Sequence, residues 1–439
     1  MNRSLLFLYL SYKMSLMSPT EVIVDDEDDV VDVSSEYVNF LTRPLQIKSY
    51  VQFLDEYRDV NFSKIVLEIN FFSQAECDRF TSIINSLLIT QLCRPRRLLV
   101  LLNPASGRGG AVNCYEETLS PILRKACVKC DVRITEKEGP CSVEGIIVRH
   151  DSLDSYDGIA IVGGDGTYRE CVNAIYRKMH NQGIFSLDDS SCEFPKIKHK
   201  FAIIPCGSGN GVAHYLTRSF DPELAVCALI LGKTVPLPVI TVRNAGLSAQ
   251  SNAYGDSLVA IGIVCVNYGI TSDGIIVANE WKKLGSAKYV IGVTSAMWKH
   301  KSFRASIINL DGTNEKRLDG EFKDIMLLVN GISTYDDFPK LVRTSGDLFV
   351  TPSCSLWEQT GFLINLALYR QSIYRDEKVL CLPSLKFRVT LSDENPERSE
   401  ERDFINIDGD IYPLIRPDFI VQYHPQVIDA FSLGFIHNT

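Results

Sequence analysis

Three glycine-bearing loops, each directly behind a short run of apolar residues, constrain the fold of this chain more than any other feature. The runs and the loops behind them are residues 98–102 with 103–110, 159–162 with 163–167, and 201–204 with 205–211. Unbroken apolar runs of this length are typical of strands buried on both faces of a parallel sheet. Apolar residues at helical spacing follow the first two loops, around 112–126 and 168–179. The pattern predicts an α/β domain with a parallel sheet, whose ligands bind beyond the carboxyl ends of the strands.

These loops, called here the first, second and third glycine loops, have the composition of phosphate-binding turns. Glycine allows backbone N–H groups to approach an anion closely, and a helix N-terminus adds unpaired donors and partial positive charge. An ordinary strand-to-helix turn is the alternative for any single loop, but three at one sheet edge predict a phosphate site. The P-loop pattern is not present, because Cys227 stands where that pattern requires glycine, five positions before Gly232.

Asp165, between Gly164 and Gly166 in the second glycine loop, is the candidate for acid–base chemistry. A carboxylate beside bound phosphates can accept the proton of an attacking hydroxyl as a general base. The local sequence leaves a second interpretation open, since aspartate is also common in turns because of the hydrogen bonds it makes to its own backbone.

Charge and cysteine content exclude several classes of protein. Lys and Arg number 45 against 54 Asp and Glu, so the net charge of −9 argues against a nucleic-acid partner and requires any phosphate site to be local. The 13 cysteines include a single CxxC, Cys127 with Cys130, and no partners for a zinc site, so we expect reduced thiols in a cytoplasmic protein. No apolar run approaches the ~18 residues that a membrane-spanning helix needs.

Composition and pattern divide the chain into four parts. Residues 1–45 contain the acidic run 25–29 and are predicted to be a disordered arm, and residues 46–95 a small α+β element of unknown role. Residues 96–235 are the predicted α/β domain. Residues 236–439 contain mostly strand-like segments, with 258–266 as one strand and a helical insertion at 357–375. We expect this last part to be a mostly antiparallel β domain.

The glycine loops resemble the motifs of the lipid kinase family that includes the diacylglycerol, ceramide and sphingosine kinases. The matching segments are LLNPASGRG at 101–109, GGDGTYRECVN at 163–173 and PCGSGNGVA at 205–213. The resemblance covers roughly residues 96–430 and is strongest at 97–216. It implies a phosphofructokinase-like α/β catalytic domain followed by a β-sandwich domain that binds the lipid, with ATP and Mg²⁺ between the two.

The resemblance also implies roles for individual residues. Asp165 corresponds to the base that deprotonates the lipid hydroxyl. Lys282 and Lys288 stand where the family has arginines that approach the phosphates, so charge is kept but the planar fork is lost. Mg²⁺ is expected to arrive with the ATP phosphates, with Asp165 and Asp408 as candidate ligands. The implied nucleotide contacts are Asn103, Thr135, Gly164, Gly166, Gly207, Ser208, Lys282, Lys288, Asp408 and Gly409.

The sphingosine kinase branch is the most similar, with one departure at the lipid site. Asp273 matches the first aspartate of the branch's D-x-D motif, but Ile275 stands at the second, which pairs with the sphingoid amine. A sequestered amine needs a counter-charge, so Asp273 is the candidate, whereas ceramide or diacylglycerol needs none. Phe362, Leu363 and Leu366 have the spacing of the apolar lid helix that closes over the lipid in this branch.

We therefore expect an ATP-dependent lipid kinase that phosphorylates the primary hydroxyl of sphingosine or a related long-chain base. A ceramide or diacylglycerol kinase is the first alternative, and a catalytically silent regulator that binds nucleotide or lipid is the second. Because the substrate lives in a bilayer, we expect a cytoplasmic protein with transient, peripheral membrane contact. The sequence specifies no oligomeric state.

Overall fold

The structure of the chain is a computed structural model. It describes residues 22–23, 30–31, 94–107, 109–150, 152–189, 193–207, 209–245, 257–281, 291–292, 294–296, 302–311, 316–329, 345–355, 358, 379–392, 404–414 and 417–433. Before residue 94 the description is limited to two short strands on either side of the acidic run, β1 (Val22–Ile23) and β2 (Val30–Val31), which pair antiparallel. The predicted α+β element lies almost entirely outside the described residues, and so does the predicted insertion at 357–375 apart from residue 358.

Four parallel strands form the sheet of the first half, in the order β6, β5, β3, β4. The strands are β3 (Arg97–Leu102), β4 (Lys129–Ile134), β5 (Gly158–Gly163) and β6 (Lys200–Pro205). The helices around them are α1 (Ala111–Asn113), which continues through a π-helical turn (Cys114–Leu119) into α2 (Ser120–Lys125), then α3 (Val143–Arg149), α4 (Asp165–Asn181), α5 (Gly211–Thr217) and α6 (Pro222–Leu231). A 3₁₀ turn lies at Leu153–Ser155.

The central strands of this sheet are buried on both faces, which explains their unbroken apolar runs. Leu99 and Leu101 pack in one core with residues of α3 and α4, whereas Leu98 and Val100 pack in another with α2 and α6. Alternate residues of one strand thus enter different cores, as the two-residue period of a strand requires. The parallel α/β domain predicted from the sequence is confirmed.

The second half is mostly antiparallel, as predicted, and its strands surround a separate apolar core. Its elements are β7 (Thr234–Asn244), β8 (Ser257–Gly262), β9 (Cys265–Gly269), α7 (Ile270–Glu280), β10 (Phe303–Asn309), β11 (Lys316–Leu328), β12 (Gly346–Pro352), β13 (Leu380–Ser384), β14 (Lys386–Leu391), β15 (Phe404–Ile407), β16 (Asp410–Pro413) and β17 (Asp418–Phe431). No described helix is both long enough and apolar enough to span a bilayer.

One predicted element of the second half is wrong. The apolar segment 258–266 was expected to be one strand, but the chain breaks at residues 263–264 and gives β8 and β9, which pair with different neighbours. The break follows from the Asp408 carboxylate, which accepts hydrogen bonds from the backbone N–H groups of Ile263, Val264 and Cys265 and so holds a turn there. Apolar periodicity carries no trace of a hydrogen-bond acceptor 145 residues away along the chain.

The last strand, β17, joins the two halves of the molecule. It pairs antiparallel with β14 and β7 in the second half, and its end pairs parallel with β6, where Asp429 and Ala430 lie opposite Lys200 and Phe201. The register shifts between His424 and Ile428, where Gln426 has a φ of 58°. The parallel sheet and the antiparallel strands are therefore continuous.

Candidate active site

The three glycine loops lie against one another at the carboxyl edge of the parallel sheet. A Cβ atom added to Gly164 would lie 2.9 Å from the Cα atom of Gly207, so the second and third loops touch through bare backbone. A Cβ atom on Gly107, which has a φ of +60°, would overlap the carbonyl oxygen of Cys206, so the first loop touches the third. Any side chain at these positions would force the loops apart. The convergence predicted from the three strand ends is present.

Asn210 shapes the third glycine loop. Its side-chain oxygen accepts a hydrogen bond from the N–H of Gly207 at 2.8 Å, and its side-chain amide donates to the Gly207 carbonyl at 2.8 Å. Its own φ is 60°, a left-handed conformation that asparagine tolerates better than most residues. The side chain therefore closes the loop on itself and holds Gly207 against the second loop.

Asp165 is the first residue of α4 and points towards the third loop. Its carboxylate accepts hydrogen bonds from the N–H groups of Gly211 at 2.7 Å and Val212 at 3.1 Å, the first residues of α5. Burial raises the pKa of this carboxyl above its ordinary value, and the two amide donors partly offset that rise. Each carboxylate oxygen retains a further lone pair, so Asp165 can hold α5 in place and still accept a proton.

Asn103 and Thr135 lie at the adjacent strand ends. Asn103 donates from its side-chain amide to the Thr167 hydroxyl at 2.8 Å and accepts from the N–H of Ala105 at 3.0 Å, which ties the first loop to the second. Thr135 is buried and its N–H donates to the Leu102 carbonyl at 2.8 Å, directly before Asn103. The structure places both beside the loops, and their nucleotide roles stay predictions.

Asp408 and Gly409 form the turn between β15 and β16, called here the 408–409 turn, and both have positive φ values, 55° and 92°. The Asp408 carboxylate accepts from the N–H groups of residues 263–265 at 2.7 to 2.9 Å. Burial raises its pKa to about 6, against the lowering effect of these donors and of the Arg169 charge. This carboxylate therefore organises the start of β9, a structural role that sequence reasoning did not anticipate.

Arg169 and Asn173 connect α4 to the second half; both lie in the 163–173 motif, but neither was given a role from the sequence. The Arg169 guanidinium donates to the Ile407 carbonyl at 2.9 Å and forms an ion pair with Asp410. The Asn173 amide donates to the Ile261 carbonyl at 3.2 Å. Their spacing from Asp165, four and eight residues, is the signal that could have found them, because it places all three on one helix face.

An acidic pair lies at the start of α7. Asp273 is half-buried in the first turn, and the buried Asp324 on β11 accepts hydrogen bonds from the Thr271 N–H at 3.1 Å and the Thr271 hydroxyl at 2.7 Å. Burial raises the pKa of Asp324 to about 7, and the nearby charge of Asp273 adds to that rise. Asp324 was not singled out from the sequence because it lies in an ordinary strand pattern.

Several predicted site residues lie outside the described part of the chain, namely Ser208, Lys282, Lys288, Phe362, Leu363 and Leu366. Within the described part, no group of three His, Cys, Asp or Glu side chains could hold a metal ion by itself, and the cysteines found there are free thiols. The candidate site therefore consists of the three glycine loops, Asp165, and the 408–409 turn that approaches α4 from the second half.

The known proteins to which this chain is similar are lipid kinases. Residues 97–242 match the diacylglycerol kinase catalytic domain. The chain is similar to sphingoid long chain base kinase 4 of Schizosaccharomyces pombe, with 26% identity over 61% of this chain and 53% of that protein. It is also similar to mouse ceramide kinase, with 25% identity over 54% and 43% of the two chains, and to human sphingosine kinase 2, with 29% over 51% and 32%.

The matches to these three relatives extend over about a third to a half of their lengths. Among solved structures, a putative diacylglycerol kinase from Bacillus anthracis is similar with a TM-score of 0.53 and 17% identity, over 78% of this chain and 99% of that one. This likeness supports the fold, a parallel α/β part joined to an antiparallel part. The match of residues 97–242 to the diacylglycerol kinase catalytic domain and the similarity to sphingoid base, ceramide and sphingosine kinases support the lipid kinase family for this chain.

Proposed function

We propose that the protein is an ATP-dependent kinase that phosphorylates the primary hydroxyl of a sphingoid long-chain base. The observation that carries the proposal is the position of Asp165, whose carboxylate lies where the second and third glycine loops meet. A base at the junction of phosphate-binding loops can act on an alcohol that arrives beside the γ-phosphate.

The glycine loops supply the phosphate contacts in this proposal. The contact between Gly164 and Gly207 leaves backbone amides without side chains around them, so a phosphate can approach closely. The N-terminus of α4 opens directly from the second loop and adds unpaired N–H donors. These groups hold the β- and γ-phosphates in line with the acceptor and stabilise the charge that spreads over the equatorial oxygens.

Asp165 takes the proton in the transfer step. The lipid hydroxyl oxygen forms a bond to the γ-phosphorus while the bond between that phosphorus and the β–γ bridging oxygen breaks, and the hydroxyl proton passes to the Asp165 carboxylate. The hydrogen bonds from Gly211 and Val212 fix the orientation of that carboxylate. Its raised pKa makes it a better proton acceptor than an exposed aspartate.

Mg²⁺ fits this site as a companion of ATP. In the described residues no cluster of three potential ligands exists, but Mg²⁺ in kinases is bound through one or two carboxylates together with substrate phosphates. Asp165 and Asp408 are the carboxylates available for that purpose, each with lone pairs beyond those its backbone donors use. When bound, the ion neutralises charge on the phosphates.

The acidic pair at α7 supports the choice of a sphingoid base. A long-chain base carries a protonated amine next to its hydroxyl, and a buried amine needs a negative partner. Asp273 lies half-buried with Asp324 beside it, so a second carboxylate stands near although Ile275 replaces the acid expected two positions along. The similarity to a protein named sphingoid long chain base kinase points the same way.

A ceramide or diacylglycerol kinase is the second candidate, and Ile275 is the observation that favours it. Ile275 places an apolar side chain on α7 where a cation-binding carboxylate was expected, and a neutral lipid requires no such charge. Mouse ceramide kinase is among the similar proteins. For either lipid the substrate resides in a bilayer, so we propose a cytoplasmic protein that contacts membranes peripherally and transiently.

A lipid-panel assay tests the proposal. The full chain is incubated with γ-labelled ATP and mixed micelles that contain sphingosine, ceramide or diacylglycerol, and phosphorylated lipid is separated and counted, with Asp165→Asn as the blank. We expect transfer to sphingosine at a rate well above the other two. Faster transfer to ceramide or diacylglycerol would establish the second candidate, and no transfer to any lipid alcohol by folded protein would identify a silent regulator.

A further inference from the structure

One face of α4 is turned towards the second half of the molecule, and it carries the proposed base. Asp165, Arg169 and Asn173 follow one another at four-residue intervals, which places them along one stripe of the helix. Asp165 contacts the third glycine loop, whereas Arg169 and Asn173 contact β15, β16 and the end of β8. The helix that begins with the base is therefore in direct contact with both sides of the site.

Arg169 makes the most extensive of these contacts. The side chain is only 9% exposed, and it donates to the Ile407 carbonyl at 2.9 Å, pairs with Asp410, and has its guanidinium carbon 5.8 Å from the centre of the Tyr412 ring. These three partners flank the 408–409 turn on both sides. A buried guanidinium whose planar fork donates to two acceptors at once, here the Ile407 carbonyl and the Asp410 carboxylate, fixes the geometry of what it holds better than a flexible ammonium does.

The contact continues beyond the turn. Asp408 follows Ile407 directly, and its carboxylate accepts from the amides of residues 263–265, while the Asn173 amide donates to the carbonyl of Ile261. The 408–409 turn, the 263–264 turn and the stripe on α4 thus form one connected set of hydrogen bonds. A displacement of Arg169 would move the second half's side of the site relative to Asp165.

We propose that Arg169 is a positioning residue for the phosphoryl transfer. It holds the 408–409 turn in a fixed place relative to Asp165, so that the nucleotide bound at the glycine loops meets this turn without a further rearrangement. The inference rests on the proposed kinase function and on the predicted nucleotide role of Asp408 and Gly409. A purely structural Arg169 would contribute to folding and leave the affinity of folded protein for ATP unchanged.

The test compares Arg169→Gln with Arg177→Gln. Arg177 lies on the same helix two turns further on, and its exposed ion pair with Glu144 stays within the first half, so its removal controls for loss of an arginine from α4. The affinity for a non-hydrolysable ATP analogue with Mg²⁺ is measured by calorimetry, and KM for ATP and kcat by lipid phosphorylation. We expect Arg169→Gln to weaken the affinity for the ATP analogue and to raise KM for ATP, each by roughly tenfold. Arg177→Gln should have an ATP affinity and a KM close to those of wild type.

Two further variants separate positioning from folding. Asp410→Asn should reproduce the loss of ATP affinity, and Arg169→Lys should recover part of it because the charge is kept. Circular dichroism melting identifies any variant that is unfolded, and an Arg169→Gln protein that does not fold leaves Asp410→Asn and Arg169→Lys to decide. An unchanged ATP affinity in folded Arg169→Gln, or in Asp410→Asn when the former does not fold, overturns the inference.

The same design distinguishes this inference from the proposed function. If wild-type protein phosphorylates no lipid alcohol, the proposed function fails, and the calorimetric comparison still decides whether Arg169 positions the nucleotide site. If wild-type protein is active and folded Arg169→Gln binds ATP as wild type does, only the inference fails.

Discussion

Gly164 and Gly207 lie back to back, with no room for a side chain between their Cα atoms. Gly207→Ala should therefore lower the free energy of unfolding by roughly 1 to 3 kcal/mol, the usual cost of overpacking, and abolish measurable ATP binding because the loops separate. Gly110→Ala is the matched control for stability, since a Cβ atom at Gly110 meets nothing within 4 Å. Thermal melting measures the change in stability, and calorimetric titration with an ATP analogue measures the loss of binding. An ATP affinity in Gly207→Ala equal to that of wild type would contradict the arrangement of the site.

Asp165→Asn should retain the fold and most of the nucleotide affinity and lose turnover by roughly 10² to 10⁴-fold, the usual worth of general-base catalysis. The new asparagine side chain keeps one oxygen that can accept a hydrogen bond from the N–H of Gly211 or Val212, so the melting temperature should fall only slightly. Single-turnover phosphorylation of the preferred lipid measures the rate. A variant that kept more than about a tenth of the wild-type rate would reject the role of Asp165 as the base.

The pH dependence of kcat/KM should follow the same carboxyl. A base acts only when deprotonated, so activity should fall as the pH decreases through the pKa of Asp165, which burial places above its ordinary value. The midpoint should therefore lie at a higher pH than for an exposed aspartate. The residual activity of Asp165→Asn should not show this fall at low pH. The same fall in that variant would show that another group is responsible for it.

Asp273→Asn should change substrate preference more than total activity. Loss of the counter-charge should lower kcat/KM for sphingosine by roughly tenfold or more and leave the rate on ceramide or diacylglycerol nearly constant, because these lipids carry no amine charge. Parallel assays on the three lipids provide their own control. Equal losses on all three would show that Asp273 supports the fold of α7 instead of recognising an amine.

Asp324 should make stability depend on pH in an unusual direction. Its carboxyl has a pKa of about 7 when folded, above its value in an unfolded chain, so its contribution is complete at low pH and is lost as the pH rises from about 4 to 7. The stability of wild type relative to Asp324→Asn should fall over that range by an amount on the order of a few kcal/mol. Urea unfolding at several pH values measures it.

Asp319→Asn is the control for this experiment, since Asp319 lies on the same strand but is exposed and paired with Arg317. Arg317 holds the pKa of Asp319 below its ordinary value, so this substitution should show no such loss between pH 4 and 7. A relative stability of wild type and Asp324→Asn that stays level from pH 4 to 7 would contradict the buried position of Asp324.

The sequence predicted the parts of the molecule that depend on local pattern. The strands at the three glycine loops lie within one residue of the predicted bounds, because runs such as Ile159 to Val162 are buried on both faces, as is typical of a parallel sheet covered by helices. The meeting of the loops also followed, since parallel strands end at the same edge. For these strands, burial on both faces of the sheet accounts both for the apolar runs in the sequence and for the place of the strands in the fold.

Features that depend on distant partners were missed. The helix Ile270–Glu280 contains Gly274 and β-branched residues that favour other structures, and Asp324 accepts from the Thr271 N–H at its start from a strand 53 residues away. The strand Phe303–Asn309 is fixed by its neighbours β11 and β14. Arg169 and its partners in β15 and β16 are more than 230 residues apart in the chain. One sequence taken by itself does not indicate which residues at such a separation will pair.

The shared strand β17 has a consequence for the order in which the protein can be made. β6 can pair with its outer neighbour β17 only after residues 429 and 430 have been synthesised. The parallel sheet therefore has an unpaired edge at β6 while the second half is being translated. A chain truncated before β17 would leave β6 with an unpaired edge next to the third glycine loop, and both cores would lose the apolar residues that β17 contributes. Until β17 has been synthesised, the nascent chain is incomplete and prone to associate through that edge.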